Sequence, residues 1–122
     1  MTDAQKTVVV VEDQKPIARA LKLKLEDAGY DVRTAADGAE GVETIQAEGG
    51  DLVILDLMMP EMDGFAVLEE LREEDIPVFV FSNLRQESDR KRAKKLGAED
   101  FLVKSDVQVS EVIDRVNEFI GS

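Results

Sequence analysis

Residues 52–64 read LVILDLMMPEMDG and place an aspartate directly after a continuous apolar run. The run Leu52–Leu55 has the length and the aliphatic composition of a strand that is buried on both faces of a parallel sheet. Asp56 follows it without a break, and Pro60 ends the apolar character that continues beyond the aspartate. A carboxylate that is buried without a partner is energetically costly, so the surroundings of Asp56 are the first question that this sequence raises.

Four more short apolar runs accompany this one along the chain. Together they predict strands at Val8–Val11, Asp31–Ala35, Leu52–Leu55, Val78–Phe81 and Phe101–Val103. Apolar residues at helical spacing predict helices at 16–28, 38–48, 65–71, 87–96 and 109–120. This alternation predicts an α/β fold, a doubly wound five-stranded parallel sheet of flavodoxin-like order 2-1-3-4-5 with helices on both faces. The second strand is the least hydrophobic, so we expect it at an edge.

The composition limits the chemistry that the chain can perform. Its 122 residues fit a single domain, 1–122, and 43% of them are hydrophobic, as in globular proteins. The sequence has no cysteine and no histidine, which excludes disulfides, thiol catalysis and imidazole chemistry. It shows no signal-peptide pattern and no apolar run of membrane-spanning length, so we expect a cytoplasmic protein without membrane contact. The net charge of −12 argues against nonspecific binding of nucleic acid.

Polar residues stand where the predicted strands end. In chain order they are Glu12 and Asp13, Asp56, Ser82 and Asn83, and Lys104. The carboxyl ends of parallel strands share one edge, so three carboxylates should meet there beside a hydroxyl and an ammonium. One such residue alone is more often a turn or cap residue, but four coincident strand ends favour a shared site. Carboxylates without nitrogen or sulfur ligands suit Mg²⁺, and an aspartate can be a covalent nucleophile toward phosphate.

Four sequence blocks carry a resemblance to a known family: VVVVED at 8–13, VILDLMMPEMDG at 53–64, FVFSN at 79–83 and GAEDFLVK at 97–104. In this order they resemble the motif blocks of the receiver domain of response regulators, the phosphoacceptor half of two-component signalling. The resemblance covers nearly the whole chain. It implies a signalling module that catalyses its own phosphorylation and dephosphorylation at Asp56. The implied phosphodonor is a sensor histidine kinase or a histidine phosphotransfer protein.

The same resemblance implies a metal site. It assigns Mg²⁺ or Mn²⁺ to Glu12, Asp13, Asp56 and the backbone carbonyl of Met58. An alternative for Glu12 is that its longer side chain holds a metal-bound water instead of the ion. The side chains of Met58 and Met59 are expected to pack in the loop rather than to take part in the chemistry.

Four further residues receive roles from the resemblance. Lys104 would pair with the phosphoryl oxygens, and the backbone of Asn83 would contact them. Ser82 resembles the switch hydroxyl that turns toward the phosphoryl group, and Phe101 resembles the aromatic switch residue whose ring follows it inward. Their movement would control binding of a downstream protein. The alternatives are that Ser82 caps the next helix and that Phe101 is a core residue.

The sequence also departs from the pattern of the family. Ser105 follows Lys104, where a proline with a cis peptide bond is usual. A cis bond before serine would cost about 3 kcal/mol, so we expect this peptide to be trans. Met58 and Leu84 occupy the two positions that influence hydrolysis of the acyl phosphate in the family. Because both are bulky and apolar, we expect them to slow the attack of water.

Six of the 15 basic residues lie within 85–95, a segment of weak hydrophobicity. The usual explanation of such a charged segment is a solvated helix face. The functional alternative is a docking surface beside Ser82 and Phe101 that responds to phosphorylation. The residues concerned are Arg85, Arg90, Lys91, Arg92, Lys94 and Lys95.

Other functions agree less well with the sequence. A haloacid-dehalogenase-type phosphatase needs a second aspartate at the position of Met58. A pseudo-receiver is disfavoured because Asp13, Asp56 and Lys104 are all present. A flavin carrier needs phosphate-binding donors after the first strand, where this chain reads EDQKP. The chain ends soon after its last predicted helix, so we expect a stand-alone receiver of the chemotaxis-regulator type or a receiver cut from a larger protein, without direct DNA binding.

Overall fold

The computed structural model describes residues 5–60 and 63–121 of the chain, so Glu61 and Met62 of the quoted motif lie outside it. The strands are β1 (Thr7–Val11), β2 (Asp31–Ala35), β3 (Leu52–Leu55), β4 (Val78–Ser82) and β5 (Ala98–Val103). The helices are α1 (Lys15–Asp27), α2 (Gly38–Glu48), α3 (Gly64–Glu73), α4 (Glu87–Lys95) and α5 (Val109–Ile120). None of these helices is long and apolar enough to cross a membrane.

The strands form one parallel sheet in the order β2-β1-β3-β4-β5, which confirms the predicted doubly wound fold. β1 pairs with β2 on one side and with β3 on the other, so the direction of winding reverses beside β1. β2 is an edge strand, as its weak hydrophobicity predicted, and its residues Arg33 and Thr34 are exposed. The carboxyl ends of β1 and β3 are therefore neighbours at one edge of the sheet.

Apolar side chains form a packed layer on each face of the sheet. Successive strand residues point to opposite faces, so Val9 and Val11 join one layer and Val8 and Val10 join the other. The first layer is covered by α2, α3 and α4, and the second by α1 and α5. With both faces covered, the strand ends are the positions left for polar groups.

Three strand boundaries differ from the sequence prediction: the start of β1, which is Thr7 instead of Val8, the start of β5 and the end of β4. β5 begins at Ala98, three residues before its predicted start. The prediction missed this part of the strand because the polar residues Glu99 and Asp100 interrupt the apolar pattern there. The register between β4 and β5 also shifts in this region. β4 extends by one residue, so Ser82 is the last residue of a strand. The N-cap of the following helix is Gln86, which shows that the alternative of Ser82 as a helix cap was wrong.

The start of α3 holds the loop that follows β3. The Asp63 side chain caps α3 by accepting a hydrogen bond from the Phe65 N–H at 3.0 Å. A Cβ placed on Gly64 would lie 2.5 Å from both the Cα and the carbonyl oxygen of Leu57, so only glycine allows this close approach. The loop directly after Asp56 therefore rests against the first turn of α3.

Candidate functional site

Backbone hydrogen bonds carry the site residues just beyond the ends of their strands. The Glu12 N–H donates to the Ala35 carbonyl at 3.0 Å, and the Asp56 N–H donates to the Val11 carbonyl at 3.1 Å. Each of these bonds continues the ladder of the sheet by one residue. The two acidic side chains are thus mounted on rigid backbone at the switch point, where the sequence predicted them.

Three carboxylates converge at this edge. Each of Glu12, Asp13 and Asp56 offers an oxygen atom, and these atoms all lie within 4.8 Å of one another. Glu12 is 4% exposed and Asp56 is 3% exposed, whereas Asp13 is half-buried. Like charges at this distance repel strongly away from water, so the cluster requires a positive partner.

Lys104 supplies that partner with three hydrogen-bond contacts. Its Nζ lies 2.6 Å from Glu12 Oε1, 2.9 Å from Asp56 Oδ2 and 3.3 Å from Gln14 Oε1. A lysine ammonium has three N–H groups, so these acceptors engage all of them. The ion pairs with Glu12 and Asp56 are almost wholly buried, which makes their removal more costly than that of a surface pair.

Burial perturbs the ionisation of two of these groups. It raises the pKa of Glu12 to about 7, opposed by the hydrogen bonds from Lys104 and the Gln14 N–H and reinforced by the Asp56 charge. Burial also acts to lower the pKa of Lys104, but the contacts with Glu12 and Asp56 outweigh it and raise that pKa above its usual value. The ammonium is therefore charged throughout the neutral range, whereas Glu12 gains its charge near neutral pH.

The second oxygen of Asp56 is held by the chain that follows it. Asp56 Oδ1 accepts a hydrogen bond from the Met58 N–H at 2.9 Å. The two methionines of this loop differ, because the Met58 side chain is 54% exposed and Met59 is 6% exposed. The prediction of loop packing is thus correct for Met59 and wrong for Met58, whose thioether faces solvent beside Asp56.

Two buried polar atoms at the site have no hydrogen-bond partner among the described residues. They are Asp13 Oδ1 and Ser82 Oγ. Buried polar atoms in proteins are nearly always paired, so each of these two needs a partner that the described residues do not supply. Phe101, from the neighbouring strand β5, is 8% exposed and belongs to the core layer that α2, α3 and α4 cover.

The six basic residues of the segment are all exposed, but two of them also contact aromatic rings. The Arg90 guanidinium lies 5.5 Å from the centroid of the Phe101 ring, and that of Arg92 lies 4.2 Å from the centroid of the Phe65 ring. Both distances are within the range of a cation–π contact. Lys91 pairs only loosely with Glu87, at 3.9 Å. The segment therefore forms a basic cover over the aromatic residue that sequence reasoning assigned to the switch.

Sequence reasoning missed several contacts around the site. It did not identify Gln14 as an acceptor for Lys104, nor the side chains of Asn83 and Arg85 as partners of Ser105. These are polar residues in irregular loops, where neither periodicity nor a strand end marks them. The deviation at Ser105 was the one available indication, since it showed that the loop after Lys104 must be held differently.

The comparisons with known protein sequences agree on one family. A family model described as the response regulator receiver domain matches residues 8–117. The probable transcriptional regulator ycf27 of Porphyridium aerugineum is 39% identical over 118 residues, which cover 91% of this chain and 49% of the relative. The transcriptional regulatory protein PhoP of Bacillus subtilis, for alkaline phosphatase synthesis, is 37% identical over 101 residues, covering 81% of this chain and 42% of the relative. The chain spans about half the length of these curated relatives.

Solved structures show the same similarity. The Francisella response regulator 1452 receiver domain has a TM-score of 0.84 and 35% identity, covering 93% of this chain and 95% of that one. The chemotaxis protein CheY4 of Vibrio cholerae has a TM-score of 0.88 and 28% identity, covering 96% and 100%. A chain in the CheX–CheY–BeF₃–Mg²⁺ complex of Borrelia burgdorferi has a TM-score of 0.85 and 30% identity, covering 93% and 87%. On its sequence, its fold and the residues at its sheet edge, the chain belongs to the response regulator receiver domain family.

Proposed function

We propose that this receiver domain is a phosphoacceptor switch of two-component signalling and that Asp56 carries the phosphoryl group. The observation that carries this proposal is the setting of the Asp56 carboxylate. One oxygen contacts Lys104 Nζ and the other accepts from the Met58 N–H, both at 2.9 Å. The carboxylate is therefore oriented at both oxygens, beside two further carboxylates that lie within 4.8 Å. An oriented nucleophile next to a fixed cation suits phosphoryl transfer.

The acidic cluster fits a hard divalent cation. It offers only oxygen ligands, and the buried Asp13 Oδ1 has no partner among the described residues. We infer that Glu12, Asp13, Asp56 and the Met58 backbone carbonyl hold Mg²⁺, or Mn²⁺ in its place. When bound, the ion would neutralise negative charge on the oxygens of the transferring phosphoryl group.

The residues of this chain would accept the group from a phosphohistidine. An Asp56 oxygen attacks phosphorus, the new O–P bond forms as the histidine N–P bond breaks, and the departing imidazole takes a proton from solvent. The Lys104 ammonium and the Asn83 backbone N–H stabilise charge on the phosphoryl oxygens. The donor is a sensor histidine kinase or a histidine phosphotransfer protein. Because the accepting groups lie in one chain, the receiver would also take the group from a small phosphodonor.

Phosphorylation would then alter one face of the molecule. Ser82 Oγ, buried without a partner among the described residues, would gain one in a phosphoryl oxygen on Asp56. Because β4 pairs with β5, a shift of Ser82 would disturb β5, where the Arg90 guanidinium lies over the Phe101 ring. We infer that repacking of this ring moves the basic cover on α4 and so changes the affinity for a downstream protein.

The relatives suggest what such a switch controls. Those reported above are named transcriptional regulators, and this chain covers about half of each. We infer that transcription is one output of a receiver of this kind and that the module works in the cytoplasm. The net charge of −12 argues against DNA contact by the receiver itself. A mobility-shift assay in which the isolated receiver bound duplex DNA at physiological salt would contradict this last point.

The assignment of Asp56 is tested by intact-mass spectrometry. The protein is incubated with Mg²⁺ and acetyl phosphate, and we expect one phosphoryl adduct that resists acid and is released by hydroxylamine, as for an acyl phosphate. Asp56→Asn should form no adduct. EDTA should abolish the adduct in the wild type, because the transferring group then lacks its metal.

Asp75→Asn is the matched control for this substitution. Asp75 is exposed and its φ of 58° is a conformation that asparagine tolerates, so the variant should fold and form the adduct as the wild type does. An adduct that persists in Asp56→Asn would assign the phosphoryl group to another residue. Repeated turnover of the phosphodonor without any adduct would indicate a phosphatase instead.

A further inference from the structure

Four side chains join the loop after β4 to the loop after β5, and we call Asn83, Arg85, Ser105 and Asp106 the loop clasp. The Ser105 N–H donates to Asn83 Oδ1 at 3.0 Å. The Arg85 guanidinium donates to Ser105 Oγ and pairs with Asp106 Oδ1 at 3.3 Å. The clasp lies directly beyond the two strand ends that bear Ser82 and Lys104.

The clasp extends the pairing of β4 and β5 beyond the sheet. The last pair in register is Ser82 with Val103, and the Lys104 N–H then donates to the Ser82 carbonyl at 2.9 Å. The bond from the Ser105 N–H to the Asn83 side chain takes the place of the next rung. Three consecutive residues after β5 are thus tied to the last residue of β4 or to the loop that follows it.

The segment that contains Lys104 is also closed on itself. The Val103 carbonyl accepts from the Asp106 N–H at 2.9 Å and from the Val107 N–H at 3.1 Å. Lys104 stands inside this turn, and its ammonium reaches Asp56. Anchoring the turn through the clasp therefore fixes where the Lys104 backbone lies relative to the Ser82 backbone.

Ser105 makes the clasp chemically possible. It stands where receivers of this family usually have a proline, and a proline has neither the backbone N–H that binds Asn83 nor the hydroxyl that binds Arg85. The described residues contain no cis peptide bond, so the peptide before Ser105 is trans, as the sequence predicted. The chain thus holds this loop by side-chain hydrogen bonds instead of by a ring-constrained backbone.

We propose that the loop clasp positions Lys104 and Ser82 toward a phosphoryl group on Asp56 and thereby sets the affinity of this receiver for that group. The proposal rests on the proposed function of Asp56. Arg85 is 61% exposed and Asp106 is 52% exposed, so each contact is weak and the loops can separate and re-form. The clasp does not touch the carboxylates that would hold Mg²⁺, and Lys104, which it positions, competes with a cation for Glu12 and Asp56, so loss of the clasp should weaken phosphoryl binding without weakening metal binding.

Two binding constants test the clasp. The first is the apparent affinity for BeF₃⁻, a tetrahedral analogue of the phosphoryl group, titrated by NMR at saturating Mg²⁺. The second is the affinity for Mg²⁺ alone. Arg85→Ala and Ser105→Ala should each weaken BeF₃⁻ binding about fivefold, the upper range for an exposed polar pair, with no loss of Mg²⁺ affinity. The exchange Arg85→Asp with Asp106→Arg re-creates the ion pair but not the hydrogen bond to Ser105 Oγ, so it should recover part of the affinity that Arg85→Ala loses.

Arg33→Ala is the matched control. Arg33 also forms exposed ion pairs, with Asp31 and Glu48 at 3.1 and 3.7 Å, but on the edge strand β2, and its removal should change neither constant. Wild-type affinity for BeF₃⁻ in Arg85→Ala and Ser105→Ala would overturn the clasp. An equal loss of Mg²⁺ affinity in these variants would also overturn it, since that indicates general damage to the site. A wild type that binds Mg²⁺ but no BeF₃⁻ would instead overturn the proposed function of Asp56.

Discussion

The acidic cluster gathers three carboxylates around one ammonium, and we expect this imbalance to lower the stability of the metal-free protein. Asp13→Asn removes one negative charge and nearly preserves the shape of the side chain. Asp13 lies within 4.8 Å of both Glu12 and Asp56. At 4.8 Å, two unit charges repel by about 1 kcal/mol in water and by about 3.5 kcal/mol at an effective dielectric constant of 20.

The net effect is smaller than the sum of these repulsions. Asp13 is half-buried, which favours the lower figure for each pair, and attraction to Lys104 offsets part of it. Asp13 Oδ1 has no hydrogen-bond partner among the described residues, so the substitution breaks no bond at that atom. We therefore expect Asp13→Asn to raise the free energy of unfolding by about 1–2 kcal/mol.

Urea unfolding followed by circular dichroism measures this change. In EDTA at pH 8, where Glu12 is ionised, the midpoint of Asp13→Asn should rise by about 0.5–1 M with an unchanged slope. With Mg²⁺ present the wild type should gain stability and the variant should gain much less. Asp114→Asn, at an exposed position on α5, is the control and should stay within about 0.5 kcal/mol of the wild type. A midpoint in EDTA that is unchanged or lower in Asp13→Asn would refute the repulsion argument.

Three further predictions concern the metal, the lifetime of the phosphoryl group and the core. Mg²⁺ should raise the melting temperature more at pH 8 than at pH 6, because Glu12, whose pKa is raised to about 7, binds a cation only when ionised; equal increments would contradict this. Met58→Asn should speed loss of the phosphoryl adduct, since a polar group at this exposed position can hydrogen-bond the attacking water; mass spectrometry over time measures the rate, and an equal or slower decay would oppose the idea. Leu68→Ala should lower the free energy of unfolding by about 2–5 kcal/mol, because Leu68 is fully buried. Leu23→Ala, at a 55% exposed position, should change it by less than about 0.5 kcal/mol. Similar urea midpoints for the two variants would show that the core is wrongly assigned.

The fold could be predicted because its determinants are local. Runs such as Leu52–Leu55 report burial on both faces directly, and Gly38–Glu48 and Val109–Ile120 have the bounds that their apolar spacing predicted. The start of β5 could not be predicted in the same way. Ala98 and Asp100 pair with β4 through the backbone and Glu99 between them falls outside the register, while all three side chains are polar or small, so periodicity does not detect this part of the strand.

The candidate site was predictable at the level of strand ends and no further. Topology alone brings Asp13, Asp56 and Lys104 to one edge, whatever their detailed contacts. Gln14 and the loop clasp depend on which side chains meet across two irregular loops, and neither hydrophobic pattern nor topology determines that. The sequence also could not show that Met58 is exposed and Met59 is buried, because the two residues are identical and adjacent in the same loop.

The three contacts of Lys104 have a consequence for the strength of the switch. Among the described residues, all three of its N–H groups are already engaged, so a phosphoryl oxygen must displace an existing acceptor. Phosphorylation is then an exchange of partners, and the free energy gained at the ammonium is only the difference between the new contact and the lost one. On the proposed function, the contact between Lys104 and a phosphoryl oxygen would therefore add little to the stability of the phosphorylated form. Most of the preference for that form would have to come from other contacts, such as the one proposed for Ser82 Oγ.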